Sequence, residues 1–417
     1  MLYNNGSDYF ASSVIFISLD GFKPDYLKLG ITPNLDKIVD QGIHADYMYP
    51  SFPSLTFPNH WTLVTGQYPE SHGIVANEFY DPKKQQTFTH GNLNCTTDPE
   101  WWDMAEPIWV TGSKNGRRSA SIMWPGSAAV ESEYIVSYNG SVSPLEEIKL
   151  VLELIDKPYD ERPHLISTYM HHVDTDGHVL SPEGPGITLS IKLVDKAIGY
   201  LMDELKKRNL DEHMHIVVVS DHGMATTKNY IFYDDILSNT SLSYLNHREA
   251  WPLLDLRPHA DAPSNATQQI YEELVNYRKD HPNEAHYQVY LKDEVPEKYH
   301  YSNNDRITPI VTIPDVGYTF ISHDNTDKTS GKFYQPLGMH GFDPFEQDML
   351  AIFMAKGPKI NKWYSIDPSR NNKTKVEPFQ NVEIYELLTE IININGNPNN
   401  GTLHGKFNLA NSINNEL

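Results

Sequence analysis

Three apolar, β-branched runs in this sequence end in residue types that bind metal ions. Val14-Ile15-Phe16-Ile17-Ser18-Leu19 leads into Asp20-Gly21, His215 to Ser220 leads into Asp221-His222-Gly223, and Leu165 to Met170 is followed by Asp174-Thr175-Asp176-Gly177-His178. An Asp before Gly at a strand end is ordinarily a turn residue, so Asp20 alone says little. Asp221 beside His222 puts a carboxylate and an imidazole at one strand end, where both can reach one cation. Asp174 and His178, four apart in an expected glycine-containing turn, repeat that pairing at a third strand end. Carboxylate oxygen and imidazole nitrogen without thiolate suit zinc, whereas an all-oxygen set suits magnesium or calcium. A further histidine is then wanted. His340, in Gly338-Met339-His340-Gly341-Phe342-Asp343, precedes the last expected core strand, although taken alone it reads as an ordinary loop histidine.

A hydroxyl completes the set. In Ser51-Phe52-Pro53-Ser54-Leu55-Thr56-Phe57-Pro58-Asn59-His60, Pro58 stands where a first helical residue is expected and Gly66 where that helix stops. Thr56 then lies at or just before a helix N-terminus, where backbone N–H groups favour a phosphate. The ordinary role of Thr there is an N-cap; beside a metal ion the same hydroxyl becomes a nucleophile.

Positioning these groups requires a sheet. The three runs, with a fourth over Met349 to Ala355, read as buried strands, and helical patterns lie between them. Thr32-Pro33 to Gly42 is bounded by start and stop signals, Ile187 to Leu205 follows the helical period, and Pro144 to Ile155 and Asn381 to Ile392 are further helices. This alternation predicts an α/β fold, a mostly parallel central sheet with helices on both faces, whose chemistry collects beyond the carboxyl ends of its strands. Residues 1–417 read as one catalytic domain. Within it, about 238–316, rich in Pro, His, Asn and Tyr with one helix near Gln268 to Tyr277, reads as an inserted subdomain. The Asn-rich tract Asn393 to Asn400 is an expected loop.

Composition sets the limits. Of 417 residues, 39% are hydrophobic and 21% charged, enough for a large core. Lys+Arg 33 against Asp+Glu 55 gives a net charge of -22, which repels a phosphate backbone and argues against stable duplex nucleic acid binding. No apolar run reaches the roughly 18 residues of a membrane helix, and Met1-Leu2-Tyr3-Asn4-Asn5 lacks the regions of a signal peptide. The opening methionine leads almost directly into a core strand, as expected of a chain processed or trimmed from one with an N-terminal targeting or anchor segment. Sequons at Asn5, Asn94, Asn139, Asn239, Asn265, Asn372 and Asn400 point to a glycoprotein that is secreted, on the cell surface or in the secretory lumen. Cys95, the sole cysteine, cannot form an internal disulfide and reads as structural or incidental.

Taken in order, Ser18-Leu19-Asp20-Gly21-Phe22, Thr56 to His60, Gly73-Ile74-Val75-Ala76-Asn77, Pro107 to Thr111, Trp124-Pro125-Gly126-Ser127, Asp174 to His178, Ser220 to Gly223, His340 to Asp343 and Asn399-Asn400-Gly401-Thr402 form a pattern. It resembles the ectonucleotide pyrophosphatase/phosphodiesterase family of the alkaline phosphatase superfamily, over nearly the whole chain. The resemblance implies two zinc ions, one held by Asp174, His178 and His340, the other by Asp20, Asp221 and His222, with Thr56 as nucleophile beside the second. It also implies that the Asn77 side-chain amide, with the Phe57 backbone N–H, binds phosphate oxygens. The implied reaction converts a nucleoside triphosphate to a nucleoside monophosphate and pyrophosphate through a phospho-threonine.

Phe57 and Tyr138 match the positions that sandwich a nucleobase in nucleotide-cleaving relatives, with Tyr169 and Trp124 expected to line the same pocket. Two departures concern base preference: Ala128 where such relatives often carry an acidic residue, and His171-His172-Val173 in place of a more acidic approach to Asp174. A sulfatase is disfavoured because Thr56-Phe57-Pro58-Asn59-His60 lacks the C/S-x-P-x-R context. A lysophospholipid or choline-type phosphodiesterase is the alternative, with the aromatic pair favouring a nucleotide. A non-catalytic binding protein would be expected to have lost a ligand or Thr56, and each is present.

Overall fold

In a computed structural model, which describes residues 2–323, 336–370 and 373–410, the expected strands lie in one eight-stranded sheet. Its order is Thr374–Val376, Ile43–Ala45, Phe353–Lys356, His215–Val219, Val14–Leu19, Leu165–Met170, Ser119–Ile122 and Tyr134–Val136. Val14–Leu19 is parallel to both neighbours, pairing Ile15 with Ile166 and Ile216, and all six of its residues are buried. A strand covered on both faces cannot alternate polar with apolar, which is why this run is continuously hydrophobic. The fourth run differs from expectation. Its strand is Phe353–Lys356, antiparallel to His215–Val219, while Gln347–Met349 is a 3-10 turn.

Helix Thr188–Lys207 packs against Pro144–Ile155 and Pro33–Gln41, and a second group formed by Thr56–Thr65, Ile108–Lys114 and Ile384–Ile392 packs together; the two groups cover the sheet's faces. Pro144–Ile155 starts with a capping box, Ser143 and Glu146 each bonding the other's backbone N–H. The start at Thr32-Pro33 is satisfied differently. The Thr32 side chain makes no cap hydrogen bond, and Asp195 Oδ1, from the long helix, accepts from the N–H groups of Asn34 and Leu35 at 2.9 Å each.

A second sheet, ordered Leu245–Glu249, Asp255–Pro258, Ile310–Pro314, Tyr287–Leu291, lies in the region that breaks the strand–helix rhythm. Helix Ala266–Asp280, longer than the sequence suggested, joins it around a separate set of buried side chains that includes Leu256, Ile270, Leu274 and Tyr287. Nearby, buried Arg306 ties this region to the chain carrying Asn77: Nε donates to Asp81 Oδ2 at 2.8 Å and Nη1 to the carbonyls of Gly73 and Trp101 at 2.8 and 2.9 Å. Cys95 is buried, its Sγ 3.6 Å from the Thr87 carbonyl. Among the described residues no helix is long and apolar enough to cross a membrane.

Candidate functional site

The carboxyl ends of three adjacent strands bring the acidic and imidazole residues into two abutting groups, Asp20 with Asp221 and His222, and Asp174 with His178 and His340; in each group one ligand atom per residue lies within 4.8 Å of the others. Asp20 follows its strand directly, and Asp221 one residue after its own. His222 Nε2 is 3.0 Å from Asp221 Oδ2 and 3.5 Å from Asp20 Oδ1, in full burial. Asp174 and His178 are on helix His172–Leu180 rather than in a turn, so their spacing of four places them on the same face one turn apart. Asp174 Oδ1 is 3.5 Å from His178 Nε2 and 3.4 Å from His340 Nε2. The groups meet where the His222 and His340 rings stack at 3.7 Å. Gly21 allows this closeness: at φ +66 it leaves no room for a Cβ, which would lie 3.0 Å from the Asp174 Cα and Cβ.

The histidines are prepared as ligands. Nδ1 of His178 faces the Gly338 carbonyl at 2.7 Å, that of His222 the Gly223 carbonyl at 2.8 Å, and that of His340 the Ser54 carbonyl at 2.8 Å. A carbonyl only accepts, so each Nδ1 carries the proton and each Nε2 keeps its lone pair for the group's centre. The carboxylates show the same division. The Tyr169 hydroxyl donates to Asp20 Oδ2 and the Gly21 N–H to Asp221 Oδ1, while Asp20 Oδ1, Asp221 Oδ2 and Asp174 Oδ1 are buried without a hydrogen-bond partner. Leaving a buried polar group unpaired costs about 1–3 kcal/mol, more for a charge, so three such oxygens facing three imidazole Nε2 atoms fit cations.

The carboxylates and imidazoles also titrate against one another, with His178 and His222 raised by Asp174 and Asp221 against the effect of burial. Burial, then the charges of Asp174 and Asp221, push the Asp20 carboxyl well above its ordinary range. Burial opposes ionisation of Asp221 as well, but the His222 and His60 imidazoles outweigh it and hold that carboxyl at about 2. Burial of Asp174 is likewise outweighed by His178 and His340, which keep it below the usual range. Burial drives His340 down to about 3.

Thr56 is the first residue of helix Thr56–Thr65, with Leu55 at the N-cap and Pro58 at the third helical position rather than the first. Its hydroxyl therefore does not cap the helix; Oγ1 lies 3.3 Å from His222 Nε2. Gly66 ends the helix at φ 67, as its position predicted. The Phe57 N–H does not stand free for a phosphate. It donates to Asn77 Oδ1 at 2.9 Å, which turns the oxygen of the amide to the helix and leaves its NH2 as the donor end.

The aromatic residues separate into supports and rim. Trp124, expected to line the pocket, is only 2% exposed; its indole N–H donates to the His60 carbonyl at 3.3 Å and its ring packs against Phe16, so it supports the site from within the core. Buried Tyr169 has committed its hydroxyl to Asp20. Phe57 is half-buried among Phe88, His90 and Trp102. Tyr138 is 59% exposed, with its ring 6.2 Å from Tyr169 and 5.6 Å from His171. Sequence reasoning did not find His60, which is wholly buried between Thr56 and Asp221; its signal was an imidazole four positions after Thr56, one helical turn away.

An α/β sheet with two abutting carboxylate–imidazole groups and a hydroxyl beyond its strand ends defines a metal-dependent hydrolase of the alkaline phosphatase-like type. The family described as "Type I phosphodiesterase / nucleotide pyrophosphatase" matches residues 14–343. An uncharacterized pyrophosphatase/phosphodiesterase of Schizosaccharomyces pombe is 43% identical over 99% of this chain and 83% of its own length. A bis(5'-adenosyl)-triphosphatase of Xenopus laevis is 36% identical over 94% of this chain and 80% of its own. Human ectonucleotide pyrophosphatase/phosphodiesterase family member 1 is 34% identical over 94% of this chain, which spans 41% of that protein. Among solved structures, human ectonucleotide pyrophosphatase/phosphodiesterase 5 superposes with a TM-score of 0.82 at 31% identity, covering 95% of this chain and 100% of the other. An inactive threonine-to-alanine variant of the murine protein, in complex with AMP, gives 0.80 at 31% identity, covering 94% and 97%. The chain belongs to the ectonucleotide pyrophosphatase/phosphodiesterase family, and is an enzyme of that class.

Proposed function

We propose that this chain is a zinc-dependent hydrolase that cleaves phosphodiester and pyrophosphate bonds of nucleotides through a phospho-threonine on Thr56, turning a nucleoside triphosphate into a nucleoside monophosphate and pyrophosphate. The observation that carries the reading is the Thr56 hydroxyl 3.3 Å from His222, in a group whose inward oxygens, Asp20 Oδ1 and Asp221 Oδ2, have no hydrogen-bond partner. Asp20, Asp221 and His222, with Thr56, hold one zinc, and Asp174, His178 and His340 the other. When bound, the pair supplies Lewis acidity, lowering the pKa of the attacking hydroxyl and neutralising charge on the leaving oxygen.

The chain's own groups do the rest. Thr56 Oγ1 forms a bond to phosphorus as the bond to the leaving group breaks. The Asn77 NH2 and the Phe57 N–H, which exchanges its bond to Asn77 Oδ1 for one to the phosphate, donate to the equatorial oxygens, where charge develops in the transition state. Water then cleaves the phospho-threonine, releasing the monophosphate and restoring the hydroxyl. Phe57 and Tyr138 stack on the base, each such contact contributing about 1–3 kcal/mol irrespective of base identity. The relative named as a bis(5'-adenosyl)-triphosphatase and the structural neighbour in complex with AMP support a nucleotide substrate. Thr56→Ala is expected to abolish turnover of a chromogenic nucleotide diester while zinc content and fold persist; substantial residual turnover removes Thr56 from the role. On the same substrates, Tyr138→Ala weakens nucleotide diesters far more than simple aryl diesters, and an equal loss on both eliminates the stacking.

The proposed location is the secretory route or cell exterior, supported by the relatives named as ecto-enzymes and by exposed sequon asparagines at Asn94, Asn139, Asn239, Asn265 and Asn400. Asn5 is half-buried with its amide donating to the Arg208 carbonyl, and Asn372 lies outside the described residues. The intact mass of the chain secreted from a eukaryotic host tests this: an unmodified mass contradicts it.

A further inference from the structure

His60 does not belong to either ligand group, yet it touches the parts that must stay in register. It sits one turn beyond Thr56 on the same helix and is 0% exposed. Its Nδ1 is 2.8 Å from the Thr56 carbonyl and 3.3 Å from Asp221 Oδ2. Its Nε2 is 2.8 Å from Ser18 Oγ, two residues before Asp20 on the central strand. The ring stands edge-on to Tyr169, at 4.7 Å and 84°, and the Tyr169 hydroxyl holds Asp20.

The acceptors fix the tautomer. A main-chain carbonyl and a carboxylate oxygen can only receive a proton from this nitrogen, so Nδ1 carries the hydrogen and Nε2 accepts from the Ser18 hydroxyl. One N–H therefore donates to the main chain of the nucleophile and, 3.3 Å away, directs its positive end at a ligand carboxylate whose inward oxygen has no hydrogen-bond partner. That arrangement is more specific than filling space, because an apolar side chain of equal size would leave the Thr56 carbonyl without this contact.

We infer that His60 is a positioning residue for the hydrolase reaction, its Nδ1–H locking the main chain of Thr56 against Asp221 so that the hydroxyl and the ligand keep a fixed separation. Partners of this outer kind typically contribute about 10- to 100-fold to metal affinity or activity. The inference rests on Thr56 being the nucleophile.

Three replacements test it. Asn places an amide N–H close to where Nδ1 lies, Gln places one close to where Nε2 lies, and Leu supplies neither. The readouts are kcat and KM on a nucleotide diester with the zinc-loaded enzyme, and zinc affinity by titration of the metal-stripped protein with zinc alone. His60→Leu and His60→Gln should lower kcat by about 10- to 100-fold with little change in KM, and should weaken zinc binding. His60→Asn should recover most of both. His60→Gln performing as well as His60→Asn, or His60→Asn no better than His60→Leu, overturns the inference. Should His60→Leu fail to fold, the Asn–Gln pair alone decides. Turnover by Thr56→Ala would sink the nucleophile assignment separately, leaving the zinc-affinity ranking of the His60 variants as it stands.

Discussion

Two ligands of the Asp20–Asp221–His222 group lie within two residues of the ends of adjacent, fully buried strands, whereas the Asp174–His178–His340 group draws two from successive turns of a helix and one from a loop. Their surroundings differ accordingly. The side chains of Asp20, Asp221 and His222 are 2%, 0% and 0% exposed, against 14%, 20% and 6% for Asp174, His178 and His340. The first group is also braced on several sides, by Tyr169, Gly21 and His60. The same donor atoms thus form one site preset by the sheet and one nearer solvent. A metal ion in the second would have the easier exchange route.

Variants of the two groups should expose this difference. Asp221→Asn removes a charge from the buried group, where several kcal/mol of transition-state stabilisation are at stake, so activity should fall by about a thousandfold or more. Excess zinc should not restore it, because the geometry itself is gone. His178→Ala opens a position on the exposed side, with a smaller expected loss of about 10- to 100-fold, partly reversed by added zinc. If both variants are equally inactive and equally insensitive to zinc, the contrast between the groups is wrong. A chelator competition sharpens it further: one equivalent should leave the wild-type protein quickly and the second slowly, and release of both in a single phase would count against unequal sites.

The buried group was also the more legible in sequence. Asp20 and Asp221-His222 follow continuous β-branched runs, and a parallel sheet forces such ends to one edge. The Asp174–His178 spacing was readable, but its helix was not, because Gly177 near the end of a short segment reads as a turn. His340 was accessible only through the ligand chemistry and its place before a core strand. What the sequence did not reveal depends on main-chain atoms. The carbonyls of Ser54, Gly223 and Gly338 that fix the imidazoles have no residue-type signal, and neither does Asn77 Oδ1 taking the Phe57 N–H. Trp124 was misjudged for a related reason: an indole beside a site can face a substrate or hold the floor, and only the packing of Phe16 and His60 around it decides.

A third buried carboxyl serves as the control for both groups. Glu147, on helix Pro144–Ile155 behind the strand that leads to Asp174, is as buried as Asp221 but has no imidazole beside it. Thr168 donates to its Oε2 at 3.0 Å, and Oε1 has no hydrogen-bond partner. Burial therefore holds Glu147 up at about 8, while the imidazoles hold Asp221 at about 2. An acid whose folded pKa is raised favours the fold in its neutral form, so Glu147 imposes no penalty below its ordinary value of 4.5, an increasing one from there to about 8, and a constant one above. Glu147→Gln, neutral at every pH, should match wild type in denaturant stability near pH 4.5 and exceed it by on the order of 5 kcal/mol at pH 9. A pH-independent difference between the two proteins would mean that Glu147 is already compensated, and that burial without a cationic neighbour is not what sets it apart from the ligand carboxylates.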